Sequence, residues 1–377
     1  MRAVAITMFL LAVSISLMAG ADTQPNIKTV KEFVKTDGAA TEEITRRWIY
    51  LENGCVLNMT TRNEERKNSL VSKWGDVAFG LKMGKIWNGW DFLGVSLKTP
   101  KGKVSPISAF PPSSIWLLPC DTAWLAEIKW PLSQEGQGTL SLSVFQFPSH
   151  KNWLFFRLKT TGDAEIEKVV LSCYPATSHW AKDVPERERM AATRESVCNA
   201  SKNDHEFAPQ SPGMILYNNY IHTNDGCMIV LDNGAVQKIK IAKTSNSIGP
   251  QIFLKPGSKS MSFALGFFMD SPAEKESVIF LRETQDSISS FLKDIDWTPK
   301  ISVGKVEKLA GSLKKIFEEA EKMGIQADKK AMEEAEKLHA SLSAAVKSGD
   351  TDAFWEDIQK LEGLKRKIVE DLLNNYK

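Results

Sequence analysis

Two histidines, His179 and His222, are the side chains of this sequence best suited to acid–base chemistry. Imidazole titrates near neutral pH, so it can accept or donate a proton under physiological conditions. A catalytic histidine would work with a carboxylate, and Asp121 is one candidate, although the sequence gives it no identifiable partner. The sequence thus permits a hydrolase, lyase or epimerase site. The alternative is that His179, His222 and Asp121 are polar residues of solvated loops with no catalytic role.

Arginine and tyrosine side chains near the two histidines could form the walls of such a site. Arg187 and Arg189 follow the first histidine and could hold a substrate carboxylate through paired hydrogen bonds. Tyr217 and Tyr220 precede the second histidine and could form a second wall. The alternative is a charged surface loop with local ion pairs, which are common and individually weak.

A short tryptophan-rich segment has the composition of a sugar-binding platform. Trp87 and Trp90 offer flat indole rings for the apolar faces of sugars, and Asp91 offers a hydrogen-bond acceptor for hydroxyl groups. Gly89 favours a loop that presents both indoles on one side, and Trp180 could extend the platform. The alternative is that these tryptophans belong to the core of a sheet, because tryptophan is usually well buried.

The easily recognised classes of enzyme and metal protein have no motif in this sequence. It contains no phosphate-binding loop, dinucleotide fingerprint, nucleophile elbow, zinc-protease helix or calcium loop. We therefore predict no metal site and no cofactor. The 48 basic and 46 acidic residues nearly balance, so the global charge gives no case for nucleic acid as a partner.

Five cysteines are widely spaced and form no C-x-x-C pair, which argues against a zinc ribbon or a redox motif. Buried free thiols are one interpretation of the odd count. The other is a single disulfide, for which Cys173 with Cys198 or Cys227 is the expected pairing on neighbouring strands.

The N-terminal segment 1–21 has the organisation of a secretory signal peptide. Arg2 precedes the apolar run Ala3–Met18, and Ala19-Gly20-Ala21 offers small residues for cleavage. A membrane anchor is the alternative, but the run is shorter than the ~20 residues of a spanning helix. We expect export to the periplasm or the extracellular space, and no membrane-spanning segment after cleavage. Residues 22–43 are expected to form a loose leader with one short helix.

The segment 44–298 is predicted to fold as a large antiparallel β-sandwich. Its clearest part is Thr139–Pro175, where apolar residues alternate along three runs separated by turn residues. This pattern predicts three consecutive strands paired as a meander. The middle run is apolar on both faces, which predicts a central strand covered on both sides.

The segment 299–377 is predicted to form a three-helix bundle. Composition changes after Trp297-Thr298-Pro299 to Lys, Glu, Ala and Leu, with apolar residues recurring at three and four. The charged residues of this tail are expected on solvated faces, and a protein partner that docks there is the alternative. The fold class is therefore mainly β with an all-α tail.

The phrase Leu51-Glu52-Asn53-Gly54-Cys55-Val56 resembles the first hairpin of galactose-mutarotase-like β-sandwich proteins, over about residues 48–281. The resemblance implies a carbohydrate-associated fold; the catalytic His and Glu motifs of the epimerases have no counterpart here. Three hypotheses follow. The first is an exported carbohydrate-binding protein, the second is a carbohydrate-active enzyme, and the third is an envelope protein that docks a partner through its helices.

Overall fold

The computed structural model describes most of the chain after residue 25. The described ranges are 26–35, 41–51, 56–64, 78–82, 89–133, 137–150, 153–174, 188–209, 211–218, 227–244, 248–266, 274–298, 300–322 and 329–374.

Antiparallel strands form two large sheets. Sheet A contains β1 (Asn26–Lys35), β2 (Thr41–Tyr50), β3 (Val56–Glu64), β4 (Ala78–Lys82), β5 (Gly89–Thr99), β6 (Gly102–Val104), β11 (Glu165–Tyr174), β14 (His205–Phe207), β17 (Val236–Ile241) and β18 (Pro250–Leu254). Its order is β1-β2-β3-β4-β5-β11-β18-β17-β14, with β6 paired to β5.

Sheet B contains β7 (Ser114–Pro119), β8 (Trp124–Pro131), β9 (Thr139–Gln146), β10 (Trp153–Thr160), β12 (Arg189–Thr193), β13 (Val197–Asn199), β15 (Gly213–Asn218), β16 (Cys227–Leu231) and β19 (Ser260–Gly266). Its order is β13-β12-β15-β16-β19-β10-β9-β8-β7. Five helices are described: α1 (Pro106–Ala109), α2 (Glu274–Asp294), α3 (Val303–Lys322), α4 (Lys329–Ser348) and α5 (Thr351–Asn374). The chain is thus mainly β with a helical C-terminal region, which confirms the broad prediction.

The predicted three-stranded meander is wrong in its last strand. β9 and β10 pair in sheet B, but β11 lies in sheet A between β5 and β18. The turn at Gly162 (φ +70°) therefore carries the chain from one sheet to the other. The central position of β10 agrees with its apolar pattern, because it pairs with β9 on one side and β19 on the other.

The N-terminal segment 26–35 forms a strand that the sequence analysis did not predict. Residues 26–35, assigned to a loose leader with a helix, form β1 against β2. Ile27, Thr29 and Val30 are β-branched and favour extended backbone, which explains the outcome. Within the predicted sandwich, β18 starts at Pro250, a position that strands tolerate.

Helix α2 covers one face of sheet B. Phe291 contacts Phe147, Phe155 and His150, with ring centroids 5.1, 5.0 and 4.1 Å from its own. The same helix places buried Gln285 against Gly213 of β15. The outward-facing aromatic side chains of β10 are therefore buried under a helix, which accounts for a strand that is apolar on both faces.

The described residues divide into two compact units, of which the larger comprises 26–115 and 126–297. The smaller comprises 116–125 and 298–374, so a piece of the β7–β8 region belongs with the last three helices. Within the smaller unit, Cys120 pairs as an antiparallel bridge with Ile301, and the N–H of Ser302 donates to the carbonyl of Pro119 at 2.7 Å.

The four cysteines in the described ranges are buried, and none of them forms a disulfide. The expected pairing of Cys173 with Cys198 or Cys227 is not formed. Cys173 lies on β11 of sheet A, whereas the other two lie on β13 and β16 of sheet B. Strands that are close in sequence are here placed in different sheets, which sequence spacing does not reveal.

In the described part of the chain, no helix is both long enough and apolar enough to cross a membrane.

Candidate functional site

The structure describes only some of the predicted site residues. Six of them lie outside the described ranges: Trp87, His179, Trp180, Arg187, Tyr220 and His222. The histidine-based acid–base hypothesis and half of the tryptophan platform therefore stay predictions. The other five can be placed: Trp90, Asp91, Asp121, Arg189 and Tyr217.

Trp90 and Asp91 lie in strand β5, not in the loop that Gly89 suggested. The backbone of Trp90 is opposite Leu81 of β4 and Cys173 of β11. Asp91 is the extra residue of an irregularity there, because Trp90 and Phe92 oppose consecutive residues of β11. Strand pairing on both sides of β5 outweighs the local preference of glycine for a turn.

Arg189 and Tyr217 lie on adjacent strands of sheet B but on opposite faces. Arg189 opposes Asn218, and Tyr217 opposes Met190. Opposed residues share a face and successive residues alternate, so the arginine and tyrosine point away from each other. Arg189 is 6% exposed, whereas Tyr217 is half-buried. The structure therefore does not bring these two together as walls of one site.

Asp121 is exposed in the turn between β7 and β8. Burial raises the pKa of the neighbouring Cys120 thiol to about 11, and the charge of Asp121 adds to this. Such a thiol is protonated and unreactive at neutral pH. Among the described residues, no group of three or more His, Cys, Asp or Glu side chains could hold a metal ion.

Two β-bulges in sheet A create an arrangement that the sequence analysis missed. The ladder of β11 is interrupted between Ile166 and Lys168, and the ladder of β17 between Val236 and Lys238. The extra residue is Glu167 in β11 and Gln237 in β17. It shifts the alternation by one position, so the lysine after it points outwards and the next apolar side chain points to the buried face.

Both lysines flank one aromatic residue on the strand between them. Phe253 of β18 opposes Lys168 on one side and Lys238 on the other. The ammonium nitrogens lie 5.9 and 5.4 Å from the centroid of its ring, within the range of cation–π attraction. Ser96 of β5 opposes Lys168 and completes a row across four strands. We call Ser96, Lys168, Phe253 and Lys238 the Phe253 row.

A second row of polar side chains runs beside the Phe253 row on the same face. Gln251 opposes Val170 and Lys240, and Lys240 opposes Glu206 of the edge strand β14. The carboxylate of Glu206 lies 3.6 Å from Lys238 Nζ, with both side chains about half exposed (52% and 40%). Together the two rows carry three ammonium groups and one carboxylate.

The opposite face of these strands is the buried one. Val169, Ile252 and Ile239 are each at most 2% exposed, whereas Phe253 is half-buried on the solvent-facing side. The aromatic ring is therefore held on a regular, hydrogen-bonded platform, with a side-chain amide and ammonium groups beside it. This arrangement can stack on an apolar ligand surface and donate hydrogen bonds to hydroxyl or anionic oxygens.

A sequence signal for this face exists, although only the structure makes it interpretable. Both bulged strands share one sequence pattern. An apolar residue is followed by a polar residue and a lysine, and then by two apolar residues at alternate positions: Ile166-Glu167-Lys168-Val169-Val170-Leu171 and Val236-Gln237-Lys238-Ile239-Lys240-Ile241. The apolar spacing is three and then two, which breaks strict alternation at one point. A break of that kind indicates a bulge.

Comparison with known proteins gives weak similarity. No protein-family model matches the chain, and no curated protein matches it. α-N-acetylgalactosaminidase NagBb from Bifidobacterium bifidum, in complex with GalNAc, is 8% identical over 67% of this chain and 39% of its own, with a TM-score of 0.37. A bacterial glucoamylase complexed with acarbose is 9% identical over 73% of this chain and 40% of its own, with a TM-score of 0.33.

These neighbours are carbohydrate-active enzymes, and the chain spans about two fifths of their length. A third, the 4-alpha-glucanotransferase from Thermococcus litoralis, has a TM-score of 0.26. Similarity at this level assigns the chain to no family and locates no site. The resemblance to galactose-mutarotase-like proteins therefore stays a prediction.

Proposed function

We propose that this protein binds carbohydrate through the solvent-facing side of sheet A, with Phe253 as the stacking residue. The observation that carries the proposal is the placement of one half-buried aromatic ring between two outward-turned lysines, on strands whose other face is buried. Sugar rings combine an apolar C–H face with hydroxyl groups, so they need one flat apolar contact and several polar ones.

Each member of the two rows has a defined role in this proposal. The ring of Phe253 stacks on the sugar, and the amide of Gln251 donates to and accepts from hydroxyl groups. The ammonium groups of Lys168, Lys238 and Lys240 donate hydrogen bonds to ring and hydroxyl oxygens. Strands β11, β18 and β17 are hydrogen-bonded to each other, which fixes the spacing of these groups before a ligand arrives.

The proposal also includes a finer description of the molecule and its location. We take the two sheets as the layers of a β-sandwich and the last three helices as a bundle, and we take the protein as exported. N-terminal sequencing of the exported protein tests the last point: a chain that starts after Ala21 supports it, and a chain that starts at Met1 contradicts it. Catalysis by His179 or His222 remains a hypothesis from the sequence.

A glycan array with the purified mature protein tests the binding role. We expect the wild-type protein to bind a set of glycans and Phe253→Ala to lose them. Val197→Ala is the matched control, because Val197 is an apolar side chain that is 57% exposed on strand β13 of sheet B. If Phe253→Ala retains the wild-type pattern, or if the wild type binds no glycan, the proposal is wrong.

A further inference from the structure

The two lysines of the Phe253 row lie on either side of the Phe253 ring, on two different strands. Strands β11 and β17 are separated by β18, hence by two inter-strand spacings of ~4.8 Å each. Both ammonium groups lie within 6 Å of the Phe253 centroid. Each is thus about one strand spacing from the ring, and they lie on opposite sides of β18.

The local charge on this face is positive. Lys168, Lys238 and Lys240 are opposed by the single carboxylate of Glu206, and its pair with Lys238 is exposed and therefore weak. The neighbouring acid Glu167 is already paired, because its carboxylate accepts a hydrogen bond from Lys103 Nζ at 2.6 Å. Within the described residues of the two rows, positive charge is therefore in excess beside Phe253.

We propose that the ligand of the Phe253 row is an anionic saccharide, whose carboxylate or sulfate groups pair with Lys168 and Lys238 while a sugar ring stacks on Phe253. This inference rests on the proposed carbohydrate-binding function and names its ligand class. An anionic group beside Phe253 can accept a charge-assisted hydrogen bond from either ammonium group. A neutral sugar makes only the stacking and hydroxyl contacts.

The two bulges explain why both lysines lie opposite Phe253 on the solvent-facing side of the sheet. If Glu167 and Gln237 were paired in regular alternation and not bulged out, each lysine would face the core and the apolar residue after it would face outwards. With the bulges, both strands place an outward-facing lysine directly opposite Phe253. The same device therefore occurs on both sides of β18 and produces one symmetric pair of cations.

Calorimetric titration with three oligosaccharides of matched length tests the inference: a neutral galactoside, a galacturonide and a sulfated galactoside. We expect the wild type to bind one or both charged ligands more tightly than the neutral one, with an affinity that falls as salt is added. The double variant Lys168→Gln/Lys238→Gln should weaken the charged ligand about tenfold or more, because it removes two charge-assisted contacts. Its affinity for the neutral ligand should stay close to that of the wild type.

Two further variants separate charge from packing. Lys168→Arg/Lys238→Arg keeps both cations and should retain the preference for the charged ligand. Lys159→Gln removes an exposed lysine from strand β10 of sheet B and should have no effect on it. Melting temperatures of all variants show whether the lysine stems merely cover the phenylalanine ring, a role that would change stability and not ligand preference.

The two proposals fail in distinguishable ways. Equal affinity for neutral and charged ligands, both lost in Phe253→Ala and both unchanged in the double glutamine variant, overturns the anionic specificity and leaves carbohydrate binding intact. The absence of binding to all three ligands, and to every glycan on the array, overturns both. A preference for the galacturonide over the sulfated ligand identifies the carboxylate as the recognised group, and the reverse preference identifies the sulfate.

Discussion

At the scale of single residues, the buried thiols show how the environment sets chemistry. Burial raises the pKa of Cys120 and of Cys198, so the thiolate is disfavoured at both positions. The N–H of Cys173 donates to the carbonyl of Ile248 at 2.9 Å, which ties this residue into the backbone of sheet A. Oxidation and alkylation of these cysteines therefore require opening of the fold.

We predict that the native protein resists thiol reagents. In a Cys55→Ser background, a disulfide reagent at mildly alkaline pH should react very slowly with the folded chain. It should titrate all four remaining cysteines after denaturation, since none of them is in a disulfide. Fewer than four thiols in the unfolded chain would indicate a disulfide, and rapid reaction of the native protein would show that the cysteines are not buried.

His150 is the residue for which a pH dependence is expected. Its ring stacks near Phe291 at a centroid distance of 4.1 Å and has Ser149 Oγ 2.9 Å from Nδ1. Burial lowers the pKa of His150 below its ordinary value. The unfolded chain therefore binds a proton at His150 more readily than the folded chain does. The contribution of neutral His150 to folding stability is complete above about pH 6.5, and it is lost as the pH falls through the lower folded-state pKa.

The melting temperature measured from neutral to mildly acidic pH checks this sign. We expect a smaller acid-induced decrease in His150→Gln than in the wild type, because the substitution removes the group that must be kept neutral. His339→Gln is the control, since His339 is exposed on helix α4. Parallel melting curves for His150→Gln and the wild type across this range would contradict the assignment.

At the scale of elements, strands could be predicted from the sequence more readily than their partners. Regular alternation located β9, β10 and β11 because each has one or two apolar faces. The sequence could not show that the turn at Gly162 leads to the other sheet, because the same turn residues serve a hairpin and a crossover. The Phe253 row was missed for a related reason: its lysines come from β11 and β17, which no local pattern brings together.

Contact between helix α2 and strand β15 depends on the absence of a side chain at Gly213. A Cβ at this position would collide with Gln285 Oε1 and would lie 3.0 Å from Gln285 Cβ. An alanine here would therefore force the buried Gln285 side chain and its helix to shift.

We therefore expect Gly213→Ala to destabilise the protein by about 1–3 kcal/mol, the usual cost of overpacking a core. Gly311→Ala is the contrasting variant, because nothing lies within 4 Å of a Cβ built there on helix α3. Alanine should stabilise that helix by roughly 0.5–1 kcal/mol. Denaturant unfolding measures both changes. Equal effects of the two substitutions would show that the helix and strand are not tightly packed.

At the scale of the whole molecule, the composition change at Trp297 is only one part of the division. The smaller unit also takes in residues 116–125, whose Trp124 ring lies 5.9 Å from Lys305 Nζ. A contact between segments almost two hundred positions apart in sequence leaves no trace in composition or periodicity. The sequence could therefore indicate where the helices start but not which strand residues belong with them.

Truncation of the chain should show, through the reactivity of Cys120, that residues 116–125 associate with the C-terminal segment. A protein that ends after Trp297 lacks Ile301, which forms a β-bridge with Cys120, and Ser302, whose N–H donates to the carbonyl of Pro119. In a Cys55→Ser background its Cys120 should become reactive, whereas a protein that ends after Val306 should keep this thiol protected. Equal protection in the two truncated proteins would show that residues 300–306 do not cover the cysteine.

Resonances of the phenylalanine rings give the most direct test of the Phe253 row as a ligand-binding face. With fluorophenylalanine at all 18 phenylalanine positions, the signal missing from Phe253→Leu identifies this ring in a fluorine NMR spectrum. We predict that this signal shifts progressively when a glycan selected on the array is added, and that the ring signals of the core on sheet B stay in place. An unchanged Phe253 signal at a glycan concentration that saturates the protein would contradict the central claim.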